Sequence, residues 1–125
     1  MNHKWTAEDC PDPKMGELRN EMLQHADRLV SALPGAKLAS VARLAEKLLS
    51  TARRTFDAEE RRLRERSAQS LVRHAREHER FLADLGALVA LASSGDAKAV
   101  AALRAERFIP EWIAAHAGTD RDVAA

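Results

Sequence analysis

Residues 71–88 read Leu-Val-Arg-His-Ala-Arg-Glu-His-Glu-Arg-Phe-Leu-Ala-Asp-Leu-Gly-Ala-Leu. Within them Leu71, His74, His78, Phe81, Leu85 and Leu88 follow one another in alternating steps of three and four. That spacing turns one face of a helix toward a bundle seam. Apolar residues hold four of the six seam positions, and imidazoles hold the other two.

The same rhythm recurs on both sides of this stretch. Upstream it runs Met15, Arg19, Met22, Ala26, Leu29, Leu33, and then Val41, Ala45, Leu48, Ala52, Thr55, Glu59. Downstream it runs Ile109, Ile113, His116, Asp120. Pro34-Gly35 and Ser93-Ser94-Gly95-Asp96 separate neighbouring stretches, and Ser67 is placed to cap a helix start. The pattern predicts four helices over residues 14–33, 37–65, 68–92 and 96–117. They form a single domain spanning 1–125, with a leader over 1–13 and a tail over 118–125. Short connections make neighbours antiparallel, so the expected fold is all-α, an up-down-up-down antiparallel four-helix bundle. Pro110, inside the last helix, is expected to break a backbone hydrogen bond and kink it.

Composition agrees. Ala (25) and Leu (15) dominate, Val, Ile and Thr together number 12, and Tyr is absent, a bias toward helix and away from sheet. Lys and Arg total 20 against 19 Asp and Glu, so the basic excess of a general nucleic-acid binder is missing. The run Glu-Glu-Arg-Arg-Leu-Arg-Glu-Arg at 59–66 pairs its charges at helical spacing and reads as a solvated face. No apolar stretch is long enough to span a membrane, and no apolar core follows the first Met. A single Cys10 allows no internal disulfide, which fits a reducing cytoplasm. No Ser/His/Asp array or phosphate-binding loop is present, and no catalytic residue is assigned.

Seven seam positions are polar where a bundle should carry Leu or Ala: Arg19, Thr55, Glu59, His74, His78, His116 and Asp120. A buried charge without a partner costs several kcal/mol, so such groups need partners or a metal. Antiparallel packing brings the start of the first helix, the end of the second, the start of the third and the end of the fourth to one level. His74 and His78, four residues apart, project from one face, a spacing that lets two nitrogens reach one ion. His116 adds a third nitrogen and Glu59 an oxygen. Such a borderline donor set suits Fe, Zn, Mn or Co. His3, in the leader, and His25, off the first stripe, do not join them.

The runs Thr-Phe-Asp-Ala-Glu-Glu at 55–60, His74-Ala-Arg-Glu-His78-Glu-Arg-Phe81, Glu111-Trp112-Ile-Ala-Ala-His116 and Gly118-Thr119-Asp120 resemble the bacterial hemerythrins. The resemblance extends from Trp5 to Asp120. It implies a four-helix bundle with a non-haem di-iron centre that binds O2. In that family Glu59 matches the bridging carboxylate, and His74, His78 and His116 match the three imidazole ligands of one iron. The other iron's positions carry Arg19 and Thr55. Asp120 falls four residues after His116, where the family usually has five. Trp112 recurs in the family motif as a core aromatic beside the site, and Trp5 is expected to pack the leader across the bundle end.

With both imidazoles of one iron missing, the expectation is a site of one metal ion per chain, with two still possible. The metal ligands would be Glu59, His74, His78, His116 and Asp120, with the Arg19 guanidinium paired to Glu59. Three functions remain open: a cytoplasmic iron protein related to carriers or sensors of O2 or another small diatomic ligand; an enzyme whose single iron turns over O2 or peroxide; and a metal-free structural or signalling bundle. Neither nucleic acid nor membrane is expected as a partner, and the oligomeric state is open.

Overall fold

A computed structural model describes residues 13–65 and 68–119 of the chain. All of the regular structure among them is helical: α1 (Pro13–Ala32), α2 (Leu38–Arg64), α3 (Ala68–Ser93), α4 (Ala97–Leu103) and α5 (Ala105–Thr119). The leader with Trp5 and Cys10, the Ser67 cap and Asp120 lie outside the described residues.

Local chemistry explains the boundaries. α1 opens on Pro13, whose fixed φ suits the first helical position and whose missing N–H would be unpaired there anyway. The turn after α1 places Gly35 at φ 80°, a backbone that side-chain-bearing residues rarely adopt. Asp96 caps α4, its Oδ1 accepting from the Ala99 N–H at 3.0 Å.

The single helix expected over 96–117 is in fact two. The break falls at Arg104, which sits in the left-handed region at φ 55° and ψ 48°. Pro110 lies inside α5 without ending it. The reason is phase. α4 buries no residue. α5 buries Ala105, Ile109, Ile113 and His116. A helix restarted after Arg104 takes its own phase toward the core and need not continue that of α4.

Packing joins α1 to α2, α2 to α3, α3 to α4 and α1 to α5. The early part of α1 meets the late part of α2: Thr55 Oγ1 lies 3.3 Å from the Leu18 carbonyl, and exposed Arg54 pairs with Glu21 at 3.0 Å. The principal core gathers Met22, Ala26, Leu29, Val41, Ala45, Leu48, Phe56, Phe81, Leu85, Leu88, Ile109 and Ile113. A second, small cluster joins Met15 to Leu63, with Ala58 and Leu71 against it. Arg19 on α1, Glu59 on α2, and His74 and His78 on α3 fall between these two clusters, and Thr55 lies at the edge of the principal core. They form a polar layer lidded by apolar side chains on both sides. No described helix is long and apolar enough to cross a membrane.

Candidate metal centre

Arg19 on α1, Thr55 and Glu59 on α2, His74 and His78 on α3, and His116 on α5 are all buried, none more than 2% exposed. Each occupies a core-facing position of its helix, which makes burial a consequence of register. One donor atom from each of Glu59, His74, His78 and His116 lies within 4.8 Å of the others. Such a group can hold a metal ion. His25 is not part of it and lies beside Glu21 on the same helix, 3.8 Å away.

Glu59 stands at the centre. Its Oε1 is 3.1 Å from His78 Nε2 and 3.3 Å from His116 Nε2, and those two nitrogens are 3.3 Å apart. Its Oε2 accepts from Arg19 Nε at 3.2 Å. Burial alone would raise the Glu59 carboxyl. Hydrogen bonds from His116 and His78 and the charges of His116 and Arg19 overcome that and hold it well below the usual carboxylate range. Glu59 is therefore ionised.

Two carboxylates outside the layer orient two of the imidazoles. His78 Nδ1 donates to Glu60 Oε2 at 2.9 Å, and His116 Nδ1 donates to Glu77 Oε2 at 3.2 Å. An ionised carboxylate only accepts, so both Nδ1 atoms carry hydrogen and both Nε2 atoms face the centre, each donating to Glu59 when its imidazole is protonated and offering a lone pair when it is neutral. This is the carboxylate–imidazole pairing that fixes tautomer and raises ligand basicity around metal ions. Glu60 and Glu77 lie off the seam stripes, so helical spacing does not mark them as part of the site. The signal was present, since each adjoins a seam ligand, Glu60 after Glu59 and Glu77 before His78. Both are ordinary surface glutamates by composition, however, and only the packing of α2, α3 and α5 shows which imidazole each one reaches.

Two Nε2 lone pairs and a carboxylate oxygen at 3.1–3.3 Å from one another require a cation among them, either a proton or a metal ion. The His78 imidazole reflects this. Burial would lower it, but the hydrogen bonds and charges of Glu59 and Glu60 raise it above the ordinary histidine value. His74 behaves differently. Burial, helped by His116, lowers it, so it stays neutral. Both of its ring nitrogens are buried without a hydrogen-bond partner among the described residues.

Aromatic rings wall the imidazoles. Phe56 stacks on His78 with centroids 4.0 Å apart, Trp112 on His116 at 4.4 Å, and Phe81 on the far face of this group against Trp112 at 4.2 Å. These contacts restrict ring rotation and keep water from the ring faces. No family model, no curated protein and no solved structure matches the chain.

Proposed function

We propose that this chain is a hemerythrin-like, cytoplasmic metal-binding protein, an up-down-up-down antiparallel bundle that holds non-haem iron through Glu59, His74, His78 and His116. His74 carries the reading. A buried polar group left unpaired costs about 1–3 kcal/mol. A proton shared among Glu59, His78 and His116 satisfies those three groups and does nothing for His74. A cation at the centre would take a nitrogen of His74 together with the other three donors, all within 4.8 Å of one another.

Three imidazole nitrogens and one carboxylate oxygen suit Fe, Zn, Mn or Co, and the hemerythrin resemblance favours iron. When bound, iron supplies Lewis acidity and one-electron redox chemistry toward O2 or another small diatomic ligand. The chain's own groups do the rest. Glu60 and Glu77 hold the Nδ1 protons of His78 and His116, so that Nε2 is the donor on each. Arg19 neutralises the outer oxygen of Glu59, and Phe56 and Trp112 fix two ring planes. Asp120 belongs to this proposal as a further ligand through the resemblance alone.

A metal-free bundle is the second reading. It draws on the mutual hydrogen bonds of Glu59, His78 and His116, which let one proton hold that part of the layer together. Metal analysis of protein purified from iron-supplemented cells separates the two. The expected result is bound iron in the wild type and its loss in His74→Ala. Wild-type protein that carries no metal, and takes up neither Fe2+, Zn2+ nor Co2+ when these are added, supports the metal-free bundle. An O2-dependent visible band would identify O2 as the ligand.

A further inference from the structure

Glu59 is the central carboxylate of the layer, and its two oxygens meet different chemistry. Oε1 faces His78 and His116, whose Nε2 atoms are available to a cation. Oε2 faces α1, where Arg19 Nε donates to it at 3.2 Å with both side chains fully buried. The rest of that side is occupied as well. Thr55, one turn before Glu59, directs its hydroxyl hydrogen at backbone carbonyls, 2.8 Å from Thr51 O and 3.3 Å from Leu18 O. Among the described residues, the α1 side of Glu59 thus already contains a cation and presents no imidazole. The α3–α5 side presents three.

Charge points the same way. The side chains bonded in this cluster include three carboxylates (Glu59, Glu60 and Glu77) and one guanidinium. A second divalent ion would have to share Glu59 with a guanidinium that cannot lose its proton.

We infer that Arg19 is a built-in cation which takes one oxygen of Glu59 and thereby limits the site to a single divalent ion, held on the α3–α5 side. This rests on the metal-binding reading above.

The test is titration of the metal-free protein with Co2+, followed by equilibrium dialysis and by visible ligand-field absorption. Wild-type protein is expected to saturate at one equivalent that Glu59→Ala abolishes. The Arg19→His/Thr55→His double variant, with helical content checked by circular dichroism, is expected to saturate at two. Arg19→Gln keeps a donor for Glu59 without the charge. It is expected to bind the first ion on the order of tenfold more tightly, because a like charge near the ion has gone. It also decides the matter should the double variant not fold. Two wild-type equivalents that both depend on Glu59 overturn this inference and leave the metal reading standing. So does a folded double variant that stops at one equivalent, or unchanged or weaker binding by Arg19→Gln. No Co2+ bound by the wild type removes the metal reading and this inference together.

Discussion

Arg19 and Thr55 on one side of Glu59, and His74, His78 and His116 on the other, are equally inaccessible to solvent, yet their polar atoms are treated differently. On the α1 side the guanidinium binds the carboxylate and the threonine hydroxyl bonds to backbone. On that half the buried charge and the hydroxyl each have a protein partner. On the α3–α5 side two imidazoles turn their Nε2 atoms to one carboxylate oxygen, and a third imidazole has no hydrogen bond among the described residues. That half is stable only if a proton or a metal ion joins it, and His74 gains from a metal ion alone. A buried ion pair is one way to satisfy a carboxylate in an apolar core, and a set of lone pairs pointed at one place is another. Here one glutamate uses both.

Removing the carboxylate the two halves share has the largest expected effect. Glu59→Ala removes the carboxylate bonded to the buried Arg19 guanidinium and strips the His cluster of its anion. Unfolding by denaturant should show a loss of about 3–5 kcal/mol in the metal-free protein. A loss below 1 kcal/mol would mean that Arg19 readily finds other company.

His74→Leu tests the unfinished half, and its expected sign is opposite. Replacing a buried imidazole that has no hydrogen bond among the described residues with an apolar side chain of similar bulk should raise metal-free stability by about 1–3 kcal/mol. The same substitution should weaken metal binding by at least tenfold. A destabilised metal-free variant would make His74 a structural residue and undo the contrast between the halves.

Glu60→Gln combined with Glu77→Gln leaves every proposed ligand in place. The amides hold His78 and His116 less firmly in the Nδ1-protonated form, so metal affinity should fall about 10–100-fold with the helical content unchanged. Isothermal titration with Zn2+ measures this, and unaltered affinity would show that the outer carboxylates do no orienting.

The smallest effect is on pH dependence. His78 is raised in the folded protein, so its contribution to metal-free stability is full below the unfolded histidine value of about 6.5 and is lost as pH rises through the folded value. His74 is lowered, and its contribution is lost only as pH falls below about 6.5. Above pH 6.5 His78 therefore contributes a downward slope. Stability of the metal-free protein should decline there by less than about 1.4 kcal/mol per pH unit, and His78→Gln should flatten the decline. A wild-type profile that is flat or rises over this range would contradict the shared proton.

The core-facing register of the polar layer was legible because helical period and burial are linked: a residue at a seam step of three or four faces the core whatever its chemistry. Arg19, Thr55, Glu59, His74, His78 and His116 each appear on a stripe for that reason, and each is buried. The expected continuity of the last helix failed at Arg104. Apolar spacing marks a face only while the phase continues, and residues 96–104 are rich in alanine, which suits any face. Asp120 lies outside the described residues, so its part in the site rests on resemblance.

What the amino-acid order determined by itself was local and periodic: where chains of helix-forming residues start and stop, which side of each helix is apolar, and that His74 and His78 share a face. Those properties depend on residues within a few turns of one another. Tertiary structure alone decided which oxygen of Glu59 meets Arg19 and which meets the imidazoles, that Glu60 reaches His78 while Glu77 reaches His116, and that His74 is left without a hydrogen bond among the described residues. Each is a relation of a few ångströms between side chains on separate helices. Helical spacing gives a residue's direction and its level along the bundle, but such contacts also depend on the rotation and separation of the packed helices and on the rotamers that fill the space between them.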